Sequence, residues 1–145
     1  RKFFNHRKQI IENTSDKERM DNDITKFIIS FVGGLLWYRV LFSIVPIYFE
    51  RPLTRTVLRL RWHHLHWGVV LISVGIVLFL LFGKSTAVIV LFGIGLGFII
   101  DLFIPSLVLE TDREKELVVY RNSLIPTLLL GFAIIVIVIL LSFLF

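Results

Sequence analysis

Three of the chain's four histidines fall in one short stretch, His63-His64-Leu65-His66-Trp67-Gly68, at the mouth of an apolar run that continues to Phe82. Imidazole binds metal ions when neutral and exchanges a proton near neutral pH. The acid Asp101 lies inside the next apolar run, and Arg39 inside the preceding one. Ionisable groups within a membrane span are expensive, and they usually face the protein interior, paired or functional. Three chemistries suit this set. A divalent transition metal would use His63 and His66, whose i,i+3 spacing lets two imidazoles converge on one ion. Asp101, Glu110 or Asp112 would supply its third ligand. A proton-linked or headgroup-binding site would join His64 to Asp101, with Arg39 as counter-ion. In an architectural centre, Asp101 pairs with Arg39 while the histidines and Trp67 form an interfacial belt.

The elements that hold these residues follow from composition. The chain has 145 residues, of which 56% are hydrophobic, and a mean hydropathy of +0.82. A soluble domain of this length cannot bury so much apolar surface. Four stretches are long enough to cross a bilayer, which takes roughly 20 helical residues. They cover about 27–49, 65–82, 85–109 and 124–145. The expected fold is therefore all-α: a polytopic membrane protein with four transmembrane helices over 27–145. Gly83-Lys84-Ser85 predicts a tight hairpin between the second and third spans. The fourth span carries no charge and reads as a lipid-facing anchor.

Counting from that turn puts the polar residues at one level. His66 precedes its centre by as much as Asp101 follows it, roughly 26 Å at 1.5 Å per residue. Arg39 lies about 15 Å inside the first span from the same side, at the depth of Asp101. Gly93 and Gly97 continue the face of Asp101, a small-residue stripe that admits a close neighbour. His64, Gly68, Leu71 and Gly75 share a face on the second span. Packing of Gly68 and Gly75 against Gly93 and Gly97 would direct His64 at the third span. His63 and His66 would flank Trp67 on another face.

Residues 1–26 form a polar tail of mixed charge. Phe3, Phe4, Ile10 and Ile11 with Arg1, Lys2, Arg7 and Lys8 read as an interfacial helix. Ser15-Asp16-Lys17-Glu18 reads as the capping box of a second short helix. Between the first two spans, Arg51, Arg55 and Arg59 recur every four residues, opposite Leu53, Val57 and Leu60. This spacing predicts an interfacial helix over Pro52–Trp62, with these arginines and Arg61 on anionic headgroups. Thr111-Asp112-Arg113-Glu114 predicts the start of another short helix. Orientation stays open, because loops one and three carry seven Lys/Arg against eight in the tail and hairpin turn. The chain opens at Arg1 without an initiator Met, so a trimmed N-terminus is expected. The first apolar run lacks the cleavage site of a secretory signal.

Several functions are disfavoured. The absence of cysteine removes disulfides, thiolate ligands and a cysteine nucleophile. The net charge of +5 has no folded basic domain to carry it to nucleic acid. Membrane di-iron enzymes need several histidine boxes, and a haem between helices needs histidines on two spans. Only His6, in the tail, lies outside the cluster. No serine has a nucleophile-elbow context. Gly93-Ile94-Gly95-Leu96-Gly97 sits in an apolar helix and reads as packing, not as a phosphate loop.

His63–Gly68, then Gly93–Asp101, then Tyr120-Arg121-Asn122-Ser123 follow one another in order after Arg51-Pro52. This pattern resembles a family of small, often archaeal, prokaryotic integral membrane proteins with an HHxHxG motif followed by GxGxGxxxD. The resemblance covers about residues 51–130. It implies a fold and a place to look, and no activity. Leu102 stands where that pattern tends to hold a second acid, which weakens any carboxylate-pair mechanism.

The leading expectation is a non-enzymatic component of the cell membrane that packs with itself or other subunits through its glycine-rich faces. The rival is an enzyme or carrier with a metal- or proton-linked site at His63, His64, His66 and Asp101.

Overall fold

The computed structural model describes residues 2–45, 56–57, 60–61, 64–107 and 113–144, with side chains at 15–45, 64–107, 115 and 117–144. The architecture is all-α, with four helices long and apolar enough to cross a membrane. Helix α1 covers Lys2–Ile44, α2 His64–Phe82, α3 Thr86–Ser106, α4 Arg113–Asn122 and α5 Leu124–Ser142. The protein is therefore a multi-pass membrane protein.

Two boundaries differ from the sequence expectation. The tail and first span are one continuous helix, so Ser15 does not start a new one. No glycine or proline interrupts Lys2–Val32, and nothing there breaks the i→i−4 ladder. The first span ends at Ile44 rather than near Phe49. Pro46 explains this, since the residue before a proline is pushed out of the helical region. The expected interfacial helix over Pro52–Trp62 is also overturned. Thr56–Val57 pairs antiparallel with Leu60–Arg61, in register Thr56↔Arg61 and Val57↔Leu60. The β-branched Thr54, Thr56 and Val57 favour extended backbone over the helix suggested by the arginine spacing. Arg51, Arg55 and Arg59 lie outside the described residues.

Helix α3 is the centre of the bundle. Its buried residues include Val88, Gly93, Gly95, Gly97, Ile100 and Asp101. Gly93 and Gly97, four apart, face α1. A Cβ on Gly93 would lie 2.8 Å from Phe27 O, and one on Gly97 would lie 2.6 Å from Leu35 N. Gly34 of α1 completes this contact, where an added Cβ would lie 2.6 Å from Ile94 O. Gly68 and Gly75 of α2 do not meet those glycines, as the sequence suggested. Gly68 packs on Gly95, and Gly75 on Leu91 and Phe92. Alternate glycines of one run thus serve two neighbours, because a two-residue step rotates the face by about 200°.

The chain reverses between α2 and α3 at Gly83, whose φ of +73° suits glycine. Ser85 then caps α3, its side chain accepting from Val88 N. At this end Lys84 meets Asp23 at 2.8 Å, and Lys26 donates to Thr86 Oγ1 at 3.3 Å. Helix α5 is more than a lipid-facing anchor. Its Thr127 and Gly131 are buried, and Gly131 accommodates Leu35. Phe31, Leu35 and Ile100 form the apolar core beside these contacts.

Candidate functional site

The close glycine contacts bring four helices together around Asp101, which is 0% exposed. Asp101 lies one turn beyond Gly97, so the α1–α3 approach that Gly97 permits carries Arg39 to it. Arg39 Nε donates to Asp101 Oδ1 at 2.5 Å. The other carboxylate oxygen, Oδ2, accepts from the Tyr120 hydroxyl at 2.7 Å. His64 Nε2 lies 2.8 Å from the same Oδ2. The carboxylate is thus held from α1, α2 and α4 at once.

Arg39 is buried as well, and its guanidinium is spread over acceptors. Nη2 donates to Thr127 Oγ1 at 3.0 Å, Ser123 Oγ at 3.3 Å and Asp101 O at 3.4 Å. Nη1 donates to Tyr120 O at 3.3 Å. Its Cζ lies 4.7 Å from the centroid of the Tyr120 ring, a cation–π geometry. Ser123 donates to Tyr120 O at 2.7 Å, tying α4 to α5. A charge taken from water into a low-dielectric interior survives only when paired and hydrogen-bonded, and both members here are.

His64 is fixed by its ring as well as its nitrogen. It stacks on Tyr38 with centroids 4.1 Å apart and an interplanar angle of 16°. Phe98 and Tyr120 meet it edge-on. These contacts hold the imidazole plane in place beside Asp101.

The residues expected from sequence separate into two groups. Arg39, Asp101 and His64 meet. His66 is exposed, and two residues from His64 it lies about 200° around the helix. His63 lies outside the described residues, as do Glu110 and Asp112. Among the described residues, no group of three His, Cys, Asp or Glu side chains converges as metal ligands do.

Sequence reasoning did not assign roles to Tyr38, Tyr120, Ser123 and Thr127. Ser123, Thr127 and Gly131 recur every four residues on an otherwise apolar span, a signal that could have marked an inward face. The site sits about 22 Å along α3 from Thr86 and about 8 Å from Ser106. It therefore lies nearer the Ser106 end of α3 than the Thr86 end.

Removing the Thr127 hydroxyl tests the network without changing side-chain volume much. Thr127→Val should destabilise the protein by about 1–2 kcal/mol, because Arg39 keeps Ser123 as an alternative acceptor. Denaturant unfolding in mild detergent measures this. An unchanged midpoint would show that the hydroxyl does not serve Arg39.

No family model matches the chain, and no curated protein and no solved structure matches it.

Proposed function

We propose that this protein is a non-enzymatic, multi-pass component of the cell membrane that assembles with copies of itself or with other membrane subunits. The polar centre acts as a lock between its spans. The observation that carries this reading is the sealing of Asp101. It is 0% exposed, and both its carboxylate oxygens have partners from the same chain. A catalytic or binding carboxylate keeps an approach open for its ligand. Here an incoming group would first have to displace Arg39, His64 or Tyr120.

The resemblance expected for residues 51–130 would fit the same architecture and suggests no reaction. Arg51, Arg55, Arg59 and Arg61 remain proposed contacts for anionic headgroups. Gly68, Gly75, Gly93 and Gly97 are occupied by contacts within the chain, so assembly uses another surface. The test is the particle mass of the purified protein in liposomes across a range of protein-to-lipid ratios. Oligomers are expected, and a monomer at every ratio would end the assembly reading.

A second reading is favoured by the His64–Asp101 contact at 2.8 Å. It makes His63, His64, His66 and Asp101 a metal- or proton-linked site of an enzyme or carrier. Elemental analysis of wild type and the His63→Ala/His66→Ala variant separates the metal form. Near-stoichiometric zinc, iron or copper lost in the variant would put a metal site ahead of the lock.

A further inference from the structure

Gly33 stands apart among the glycines. A Cβ on any other glycine in a described helix would meet a neighbouring atom, whereas one on Gly33 would meet nothing within 4 Å among the described residues. Glycine is a poor helix former, and no contact among the described residues requires one at position 33.

The same helix has a second peculiarity. The Lys84–Asp23 contact marks where α1 leaves the hairpin tip. Helix α1 continues beyond it to Lys2, about 30 Å further. Ser15–Arg19, Asp21 and Asn22 are all exposed. A polar helix is marginal in water and gains most of its stability from a partner.

The two observations lie on one meridian. At 100° per residue, Ser15, Asn22, Lys26, Ile29, Trp37 and Val40 fall within about 40° of Gly33. All but Lys26, which reaches Thr86, are exposed, Ile29 to 67% and Trp37 to 61%. Gly33 forms a hollow one turn from Ile29 and one turn from Trp37. Lipid can cover the apolar half of this stripe, but not its continuation at Ser15 and Asn22.

We infer that a second copy of this chain docks along this face, pairing the two α1 helices in parallel through the Gly33 hollow and the segment beyond the membrane. The inference rests on the assembly reading above and names its surface. Copies inserted with the same topology present α1 in the same direction, so the symmetry axis runs along the membrane normal. Charge fits this pairing. Glu18 and Arg19 flank the stripe on opposite sides, about 60° and 40° from Gly33. A two-fold axis sets Glu18 of one copy against Arg19 of the other on both edges, the logic of flanking charges in parallel coiled coils.

Because the chain has no cysteine, single-cysteine cross-linking tests the surface directly. Ser15→Cys and Lys17→Cys variants of the chain would be placed separately in phosphatidylcholine–phosphatidylglycerol liposomes and oxidised. Lys17 is equally exposed, but lies about 200° from Ser15. A disulfide requires Cα atoms within about 7 Å, so Ser15→Cys should give about tenfold more covalent dimer than Lys17→Cys. Adding Gly33→Leu should bring that yield down to the Lys17→Cys level without moving the unfolding midpoint of the single chain. Equal yields at the two positions, or no effect of Gly33→Leu, would overturn the inference. Wild-type oligomers without a Ser15→Cys cross-link would reject this surface while sparing the assembly reading. A wild-type monomer would reject both.

Discussion

Arg39→Ala should destabilise the protein by about 3–5 kcal/mol, because it leaves the Asp101 carboxylate buried without its counter-charge. Among the described residues, Asp101 then keeps His64 and Tyr120 as side-chain partners. The acceptors gathered around the guanidinium, Ser123, Thr127 and the Tyr120 carbonyl, also lose their donor. Unfolding in mild detergent, followed by tryptophan fluorescence, measures the loss. Arg39→Met/Asp101→Leu should recover part of it, since no buried charge remains and the span becomes uniformly apolar. This comparison distinguishes a lock from a site retained for chemistry. A lock tolerates joint replacement better than removal of one member. If Arg39→Ala unfolds like wild type, the ion pair does not hold the bundle together.

The second large effect is expected at Gly97. Its missing Cβ would run into Phe31 O, would lie 2.6 Å from Leu35 N, and would lie 3.0 Å from the Gly34 carbonyl carbon. These are backbone atoms, so no rotamer change relieves the clash. Helices α1 and α3 must separate, and Asp101 lies only one turn away. Gly97→Ala should therefore cost about 3 kcal/mol, at the upper end of ordinary overpacking, and should weaken the Arg39–Asp101 contact as well. Combining Gly97→Ala with Arg39→Ala should cost less than the sum of the two, since both act on the same α1–α3 approach. Additive losses would show that the glycine contact and the ion pair are independent.

The contrast with Gly95 shows how finely these faces are divided. Gly95 accepts α2, with Gly68 O 2.9 Å from its missing Cβ, whereas Gly93 and Gly97 accept α1. Gly95→Ala would thus loosen the helix that carries His64, and Gly97→Ala the helix that carries Arg39. Both residues reach the same carboxylate, from opposite sides of one glycine run.

Much of this was determined by local sequence. Four apolar runs of membrane-spanning length require four helices, because backbone groups in lipid must be satisfied within each segment. Residue counting from Gly83 also set Asp101 near the level of the histidines, since helical rise is constant; the depth of about 15 Å for Arg39, counted from Phe49, does not hold, because the helix ends at Ile44. Helical phase offered His64 as the histidine facing α3, through a packing of Gly68 and Gly75 on Gly93 and Gly97 that the structure replaces with Gly68 on Gly95. Tertiary structure decided the rest. It gave the glycine run two different neighbours, which depends on which helices flank α3. It recruited Tyr120, Ser123 and Thr127, whose small polar groups stand out only once the long Arg39 side chain reaches across to them. It carried α1 through Ser15 as one helix, where a capping box read locally predicts a boundary. The arginine spacing at 51–59 fits a helix, yet Val57 pairs with Leu60. Periodicity records which residues share a face in an assumed helix; pairing with a neighbouring strand changes the backbone on which that face is counted.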